Sequence, residues 1–263
     1  MAKIIFLGTC SGTEPIGDMH HTSFVVQVGD VNYFFDAGEN CSRTSRAMGV
    51  DLLKVPAIFI SHPHIDHVGG LMNLVWSIKK LRCVTDCKPI NNKIDIYIPD
   101  INVMNSILDT LRSIDDGFET DYSINVIRTM EKVLYEDENI KVSAVSNHHL
   151  GVDSEGLPLS YSYIIETEGK KIVFSGDVRD LDDVERLTKT PCDYLLMETG
   201  HHKVSDILNF AKNHEIGKLL FIHHGREIIN NREDAQNKIS ESNVNAQICH
   251  DKIVIEIPAR IIS

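Results

Sequence analysis

No run of apolar residues in this 263-residue chain reaches the length a membrane span needs. The apolar part of residues 1–8 is too short for the h-region of a signal peptide and passes directly into Thr9. A soluble, cytoplasmic protein is therefore expected, with no membrane partner. Basic residues are scarce: 26 Lys and Arg stand against 38 Asp and Glu, a formal net charge of −12 at pH 7. An acidic surface repels polyphosphate chains, which disfavours long nucleic acid and favours a small-molecule substrate. The six cysteines, Cys10, Cys41, Cys83, Cys87, Cys192 and Cys249, contain no C-x-x-C pair. They read as reduced thiols. Only Cys83 and Cys87, four apart, keep open a redox pair or a third metal site. No repeat, low-complexity tract or linker divides the chain, so residues 1–263 are read as one domain. Its 42% hydrophobic and 24% charged residues suit a folded protein with a sizeable core.

Short apolar runs predict strands at 3–7, 22–28, 31–36, 56–61, 93–98, 141–146, 160–166, 171–175, 193–197, 218–222 and 252–257. Gly29-Asp30 and a second glycine turn before residue 171 predict two hairpins. Helical spacing predicts helices over 71–80, 101–114, 181–187 and 204–213. The acidic stretch 115–122 reads as a loop. Strands alternating with helices argue the α/β class.

The chemistry concentrates in Ser61-His62-Pro63-His64-Ile65-Asp66-His67, which follows a buried strand and precedes Gly69-Gly70 and a helix. Two histidines one residue apart on extended backbone point the same way and can grip one metal ion. Asp66 and His67, on the turn that follows, can reach a second. Imidazole and carboxylate suit Zn²⁺ and other first-row divalent ions.

This H-x-H-x-D-H run resembles the signature of the metallo-β-lactamase superfamily. The opening Phe6-Leu7-Gly8-Thr9-Cys10-Ser11-Gly12-Thr13 and the hairpin end Phe35-Asp36-Ala37-Gly38 resemble its ribonuclease Z-like branch, which includes small cyclic phosphodiesterases. The resemblance implies a four-layer αββα sandwich with two divalent metal ions at one edge, Zn²⁺ first, with Mn²⁺ or Fe as alternatives. It implies His62, His64 and a third histidine on one ion, with His149 favoured over His148. Asp66, His67 and His223, favoured over His224, would hold the other. Asp177, in Phe174-Ser175-Gly176-Asp177, would bridge them, because a carboxylate has two oxygens for two ions. Asp36 would support the ligands or their loop. Catalysis would fall to Asp66, orienting a hydroxide between the ions, and to His201 or else His202, protonating the leaving oxygen.

The implied activity is hydrolysis of a small or cyclic phosphodiester. Lactone, ester or thioester hydrolysis on the same metals is the alternative, favoured by an apolar mouth; cations such as Arg226 or Arg179 beside the site would favour phosphate. Ribonuclease Z-type RNA processing is disfavoured by the net charge and by the lack of a Gly-Pro-rich arm. A homodimer is left open. His20-His21 borders the site or the surface, and His214 and His250 are read as structural.

Overall fold

The computed structural model describes residues 1–12, 14, 17–85 and 87–259. Thr13 of the opening motif lies outside the described residues. Among these residues, fourteen strands form two seven-stranded sheets. The first sheet contains β1 (Ala2–Gly8), β2 (Ser23–Val28), β3 (Val31–Phe35), β4 (Ala57–Phe59), β5 (Lys93–Ile98) and β6 (Ser123–Arg128), with β14 (Val254–Ile257) paired to β1. The second runs in chain order through β7 (Val133–Glu136), β8 (Lys141–Ser146), β9 (Tyr161–Thr167), β10 (Lys170–Phe174), β11 (Cys192–Thr199), β12 (Ile216–His224) and β13 (Ala246–Ile248). Each sheet is an antiparallel meander that becomes parallel, from β3 to β6 in one and from β10 to β13 in the other.

The period-two alternation of the strands builds three cores. Phe6, Phe24, Phe35 and Phe59 face Tyr163, Phe174, Leu196 and Leu220 between the sheets. Their sequence neighbours point outward. Val25, Phe34, Ile58 and Ile96 meet α3 (Leu71–Thr85) and α4 (Ile101–Ile114). Leu195, Met197, Leu219 and Phe221 meet α5 (Leu181–Thr188), α6 (Val204–Ala211) and α8 (Arg232–Ser242). The result is the expected four-layer αββα sandwich. No helix among the described residues is long and apolar enough to cross a membrane.

The predicted elements recur with small shifts in their ends. The strand at 252–257 starts at Val254, the helix over 71–80 continues to Thr85, and that over 204–213 stops at Ala211. The stretch 115–122 carries one short 3₁₀ turn, Asp116–Phe118, and is otherwise irregular. Three strands, β6, β7 and β13, and four helices, α1 (Cys41–Ala47), α2 (Ile65–Val68), α7 (Arg226–Asn230) and α8, are not among the predicted elements. All six cysteines are free; Cys83 and Cys87 are exposed, with Cys87 beyond the end of α3. Among the described residues no metal-competent group includes a cysteine.

Although aromatics are few, they are concentrated between the sheets. Phe24, Phe35, Phe59 and Tyr97 lie opposite one another on β2, β3, β4 and β5. Their rings stack with centroids 5.0, 5.0 and 5.1 Å apart. Phe174 crosses from the second sheet edge-on to Phe24. This row holds rigid the strand ends from which Asp36 and Ser61 emerge. Replacing Phe35 by Ala is expected to cost about 3–5 kcal/mol. Urea denaturation checks this; an unchanged midpoint would show that the row can be broken freely.

Candidate metal centre

Six segments converge at one edge of the sandwich. Asp36 follows β3, the motif 61–67 follows β4, and the loop 147–149 follows β8. Asp177 follows β10, His201 follows β11, and His223 lies at the end of β12. Loops at the carboxyl ends of parallel strands are where α/β sheets place their sites.

His62, His64 and His149 meet first. His62 Nε2 is 3.0 Å from His64 Nδ1, and His149 Nε2 is 3.4 Å from the same atom. A hydrogen bond joins only two nitrogens, whereas here three surround one point. A tetrahedral ion with arms of about 2.0–2.1 Å would set its ligands roughly 3.3 Å apart, so the spacing fits a metal. The extended backbone of His64 at the start of α2 (Ile65–Val68) turns both motif histidines to one side.

The first turn of α2 presents Asp66 and His67 to His223. His67 Nε2 and His223 Nε2 are 3.2 Å apart, and Asp66 Oδ2 lies 3.3 Å from His223 Nε2 and 3.5 Å from His67 Nε2. Asp177 stands between the two groups. Its Oδ2 is 3.4 Å from His223, 3.7 Å from His62 and 3.8 Å from His149, and its Oδ1 is 3.5 Å from His67. Asp177 Oδ1 and His223 Nδ1 are buried with no hydrogen-bond partner among the described residues. Orphaned atoms in a buried cage of nitrogen and oxygen donors are what a divalent cation would satisfy.

Within the cluster, carboxylates and imidazoles shift one another's protonation. Burial opposes the Asp177 carboxylate, but His223 and His67 hold it well below the usual carboxylate range. Burial also opposes a charged His223, yet Asp177, Asp66 and Glu198 push it up to about 9. Burial drives His62 well below the usual histidine range.

A surrounding layer aims these groups. Asp36, fully buried, accepts from the Ser61 backbone N–H at 2.7 Å, from Ser61 Oγ at 2.8 Å and from His67 Nδ1 at 2.6 Å. This fixes the His67 tautomer so that Nε2 faces the cluster. The Gly12 backbone N–H donates to Asp66 Oδ2 at 2.7 Å. Gly176, at φ 57°, has no room for a Cβ, which would sit 2.8 Å from the Tyr161 carbonyl oxygen.

The paired histidines separate clearly. His148 turns outward, paired with Asp183 at 2.6 Å, while His149 enters the cluster. His224 is buried, its Nδ1 3.2 Å from Thr199 Oγ1 and its Nε2 2.9 Å from the Cys249 carbonyl. His201 Nδ1 bonds Glu198 Oε1 at 3.0 Å and lies 3.8 Å from Asp177; His202 instead bonds the Val178 carbonyl. That Glu198 contact raises the His201 pKa above its ordinary value. Burial disfavours the Glu198 carboxylate itself, but the His201 and His223 rings bring it to about 2. Sequence reasoning passed over Glu198, although a carboxylate three residues before His201 at a buried strand end was a readable signal.

Nearby, His21 bonds the Gly12 carbonyl and His20 bonds Asp251, so this pair steadies the loop that touches Asp66. His214 and His250 bond backbone carbonyls away from the cluster. A cavity of about 360 Å³ beside His201 is lined by Ser11, Glu14, His202, Lys203 and Arg226. Arg226 is partly neutralised by Glu14 at 3.0 Å, and Arg179 is exposed two residues after Asp177. A larger cavity of about 930 Å³ lies at the opposite ends of β10, β11 and β12 and touches none of this chemistry.

The fold is that of metallo-β-lactamase fold proteins. More narrowly, the chain belongs to the family described as anti-Pycsar protein Apyc1, whose model matches residues 2–207. Its curated relatives include ribonuclease Z of Methanothermobacter thermautotrophicus, 27% identical over 57% of this chain but only 45% of that protein. Ribonuclease Z of Picrophilus torridus is 24% identical, over 84% of this chain and 85% of the relative. Among solved structures, the Bacillus subtilis metallo-β-lactamase fold protein YhfI superposes with a TM-score of 0.73 at 17% identity, over 97% of this chain and all of that one. Unliganded yeast PDE1 gives 0.69 at 15% identity, over 96% and 98% of the two chains.

Gly200 shows how tightly the centre is packed: a Cβ there would sit 2.7 Å from His223 Nδ1 and 3.1 Å from Ser11 Cβ. Gly200→Ala is expected to cost about 1–3 kcal/mol through this overpacking. A denaturation midpoint equal to the wild type would contradict the packing described.

Proposed function

We propose that this chain is a dinuclear metal-dependent phosphodiesterase acting on a small or cyclic phosphodiester. The observation that carries this reading is the Asp177 carboxylate lying between two three-residue donor groups. His62, His64 and His149 would hold one ion, Asp66, His67 and His223 the other, and Asp177 both. Zn²⁺ is the first expectation, with Mn²⁺ or Fe as alternatives for a nitrogen and oxygen donor set. Bound there, such ions supply Lewis acidity for a phosphoryl oxygen and make water a nucleophile near neutral pH.

The chain's own groups do the rest. The Gly12 N–H occupies one lone pair of Asp66 Oδ2, which fixes the carboxylate for orienting the attacking water. Glu198 ties down His201 Nδ1 and favours the protonated ring, leaving Nε2 to deliver a proton to the leaving oxygen. Lys203 and Arg226 in the adjoining cavity suit an anionic substrate better than an acyl chain. The acidic net charge favours a small substrate. The ribonuclease Z relatives support a second reading, RNA end processing, which the same assay addresses.

Metal-loaded protein should turn over bis-p-nitrophenyl phosphate or cyclic nucleotides in preference to lactones, thioesters or precursor tRNA. Chelation should abolish that activity and Zn²⁺ or Mn²⁺ restore it. His201→Ala should lower kcat on phosphodiesters by about 10²–10⁴-fold. Turnover confined to an acyl substrate would reject the phosphodiesterase, and turnover confined to precursor tRNA would favour the second reading.

A further inference from the structure

The loop that presents His149 is fastened from outside the cluster. Asn147 is buried and bridges β9: its Nδ2 donates to Ser162 Oγ at 3.1 Å, and its Oδ1 accepts from the His149 N–H at 3.2 Å. Between these two residues, His148 is gripped twice by one carboxylate. Asp183 Oδ2 accepts from the His148 backbone N–H at 3.0 Å, and Asp183 Oδ1 lies 2.6 Å from His148 Nδ1. The Asp183 side chain is 1% exposed, whereas that of His148 is 67% exposed. Burying a carboxylate is costly unless its oxygens are bonded, and among the described residues both bonds go to His148.

The position of Asp183 gives this grip its meaning. It lies in the first turn of α5, whose N-terminus is capped by Asp180 accepting from the Asp182 N–H. The preceding loop, residues 175–180, carries Asp177. One buried carboxylate thus ties the segment carrying Asp177 to the segment carrying His149.

We infer that Asp183 is a positioning residue for the ion held by His62, His64 and His149, acting through His148; this rests on the two-ion reading above. Without the clamp the His148 N–H loses its partner, and the neighbouring His149 ring is freed from its place 3.4 Å from His64. The other group, Asp66, His67 and His223, is aimed by Asp36 and Gly12 and meets the clamped segments only through Asp177. The effect therefore falls mainly on one ion.

Metal-free full-length protein titrated with Zn²⁺ against a competing chelator provides the test. The wild type should take up two ions, with one step lost in His149→Ala. Asp183→Ala should weaken that same step 10–100-fold, the usual effect of removing an outer partner, and the other step far less. Asp183→Asn, which keeps one acceptor oxygen, should fall between. His148→Ala, at an exposed side chain, should weaken the same step less, and it decides the matter if Asp183→Ala does not fold. Unchanged affinity in these variants, or equal weakening of both steps, would overturn the clamp. A wild type that binds no Zn²⁺ would overturn the two-ion reading, and the clamp with it.

Discussion

Asp177 is a carboxylate shut away from water among imidazole rings that come from both sheets. A buried ion of this kind is tolerated only when opposite charge or donors surround it closely. Five histidines, His62, His67, His149, His201 and His223, approach its two oxygens within 3.8 Å. The architecture must therefore bring the ends of β4, β8, β10, β11 and β12 to one edge with little tolerance. A sandwich in which each sheet passes from meander to parallel strands does this, because its parallel strands all end on the same side.

Precision then depends on partners that never enter the cluster. Asp36 fixes which nitrogen of His67 faces inward, Gly12 fixes Asp66, and Glu198 fixes His201. Each is a backbone or carboxylate group at a strand end or on an adjoining loop, and each restrains one side chain. The aromatic row behind β3 and β4 keeps Asp36 and Ser61 in register, so packing between the sheets acts directly on the geometry of the cluster. The large cavity at the far ends of β10 to β12 shows that volume alone does not mark the chemistry; convergent donors do.

Much of this was readable from residue order. The run His62 to His67 and the turn Gly176-Asp177 stand directly after apolar strands, and such strands announce themselves by continuous burial. Both hairpins were visible from their turns. Elements with little apolar surface were not. Strand β7 is an edge with its first and last residues exposed, β13 has three residues, and α8 is dominated by charged and polar side chains. Choosing between His148 and His149, or His201 and His202, needed coordinates, because neighbouring residues share the same local sequence and differ only in which way the loop turns them. Asp183 was invisible for a related reason: its partner lies 35 positions away, and no spacing rule links them.

The proposed chemistry rests on two ions sharing one carboxylate. Elemental analysis of metal-reconstituted protein, wild type beside Asp177→Ala, tests it most directly. Two divalent ions per chain falling sharply in the variant is the predicted result. A variant that keeps two ions per chain would contradict it.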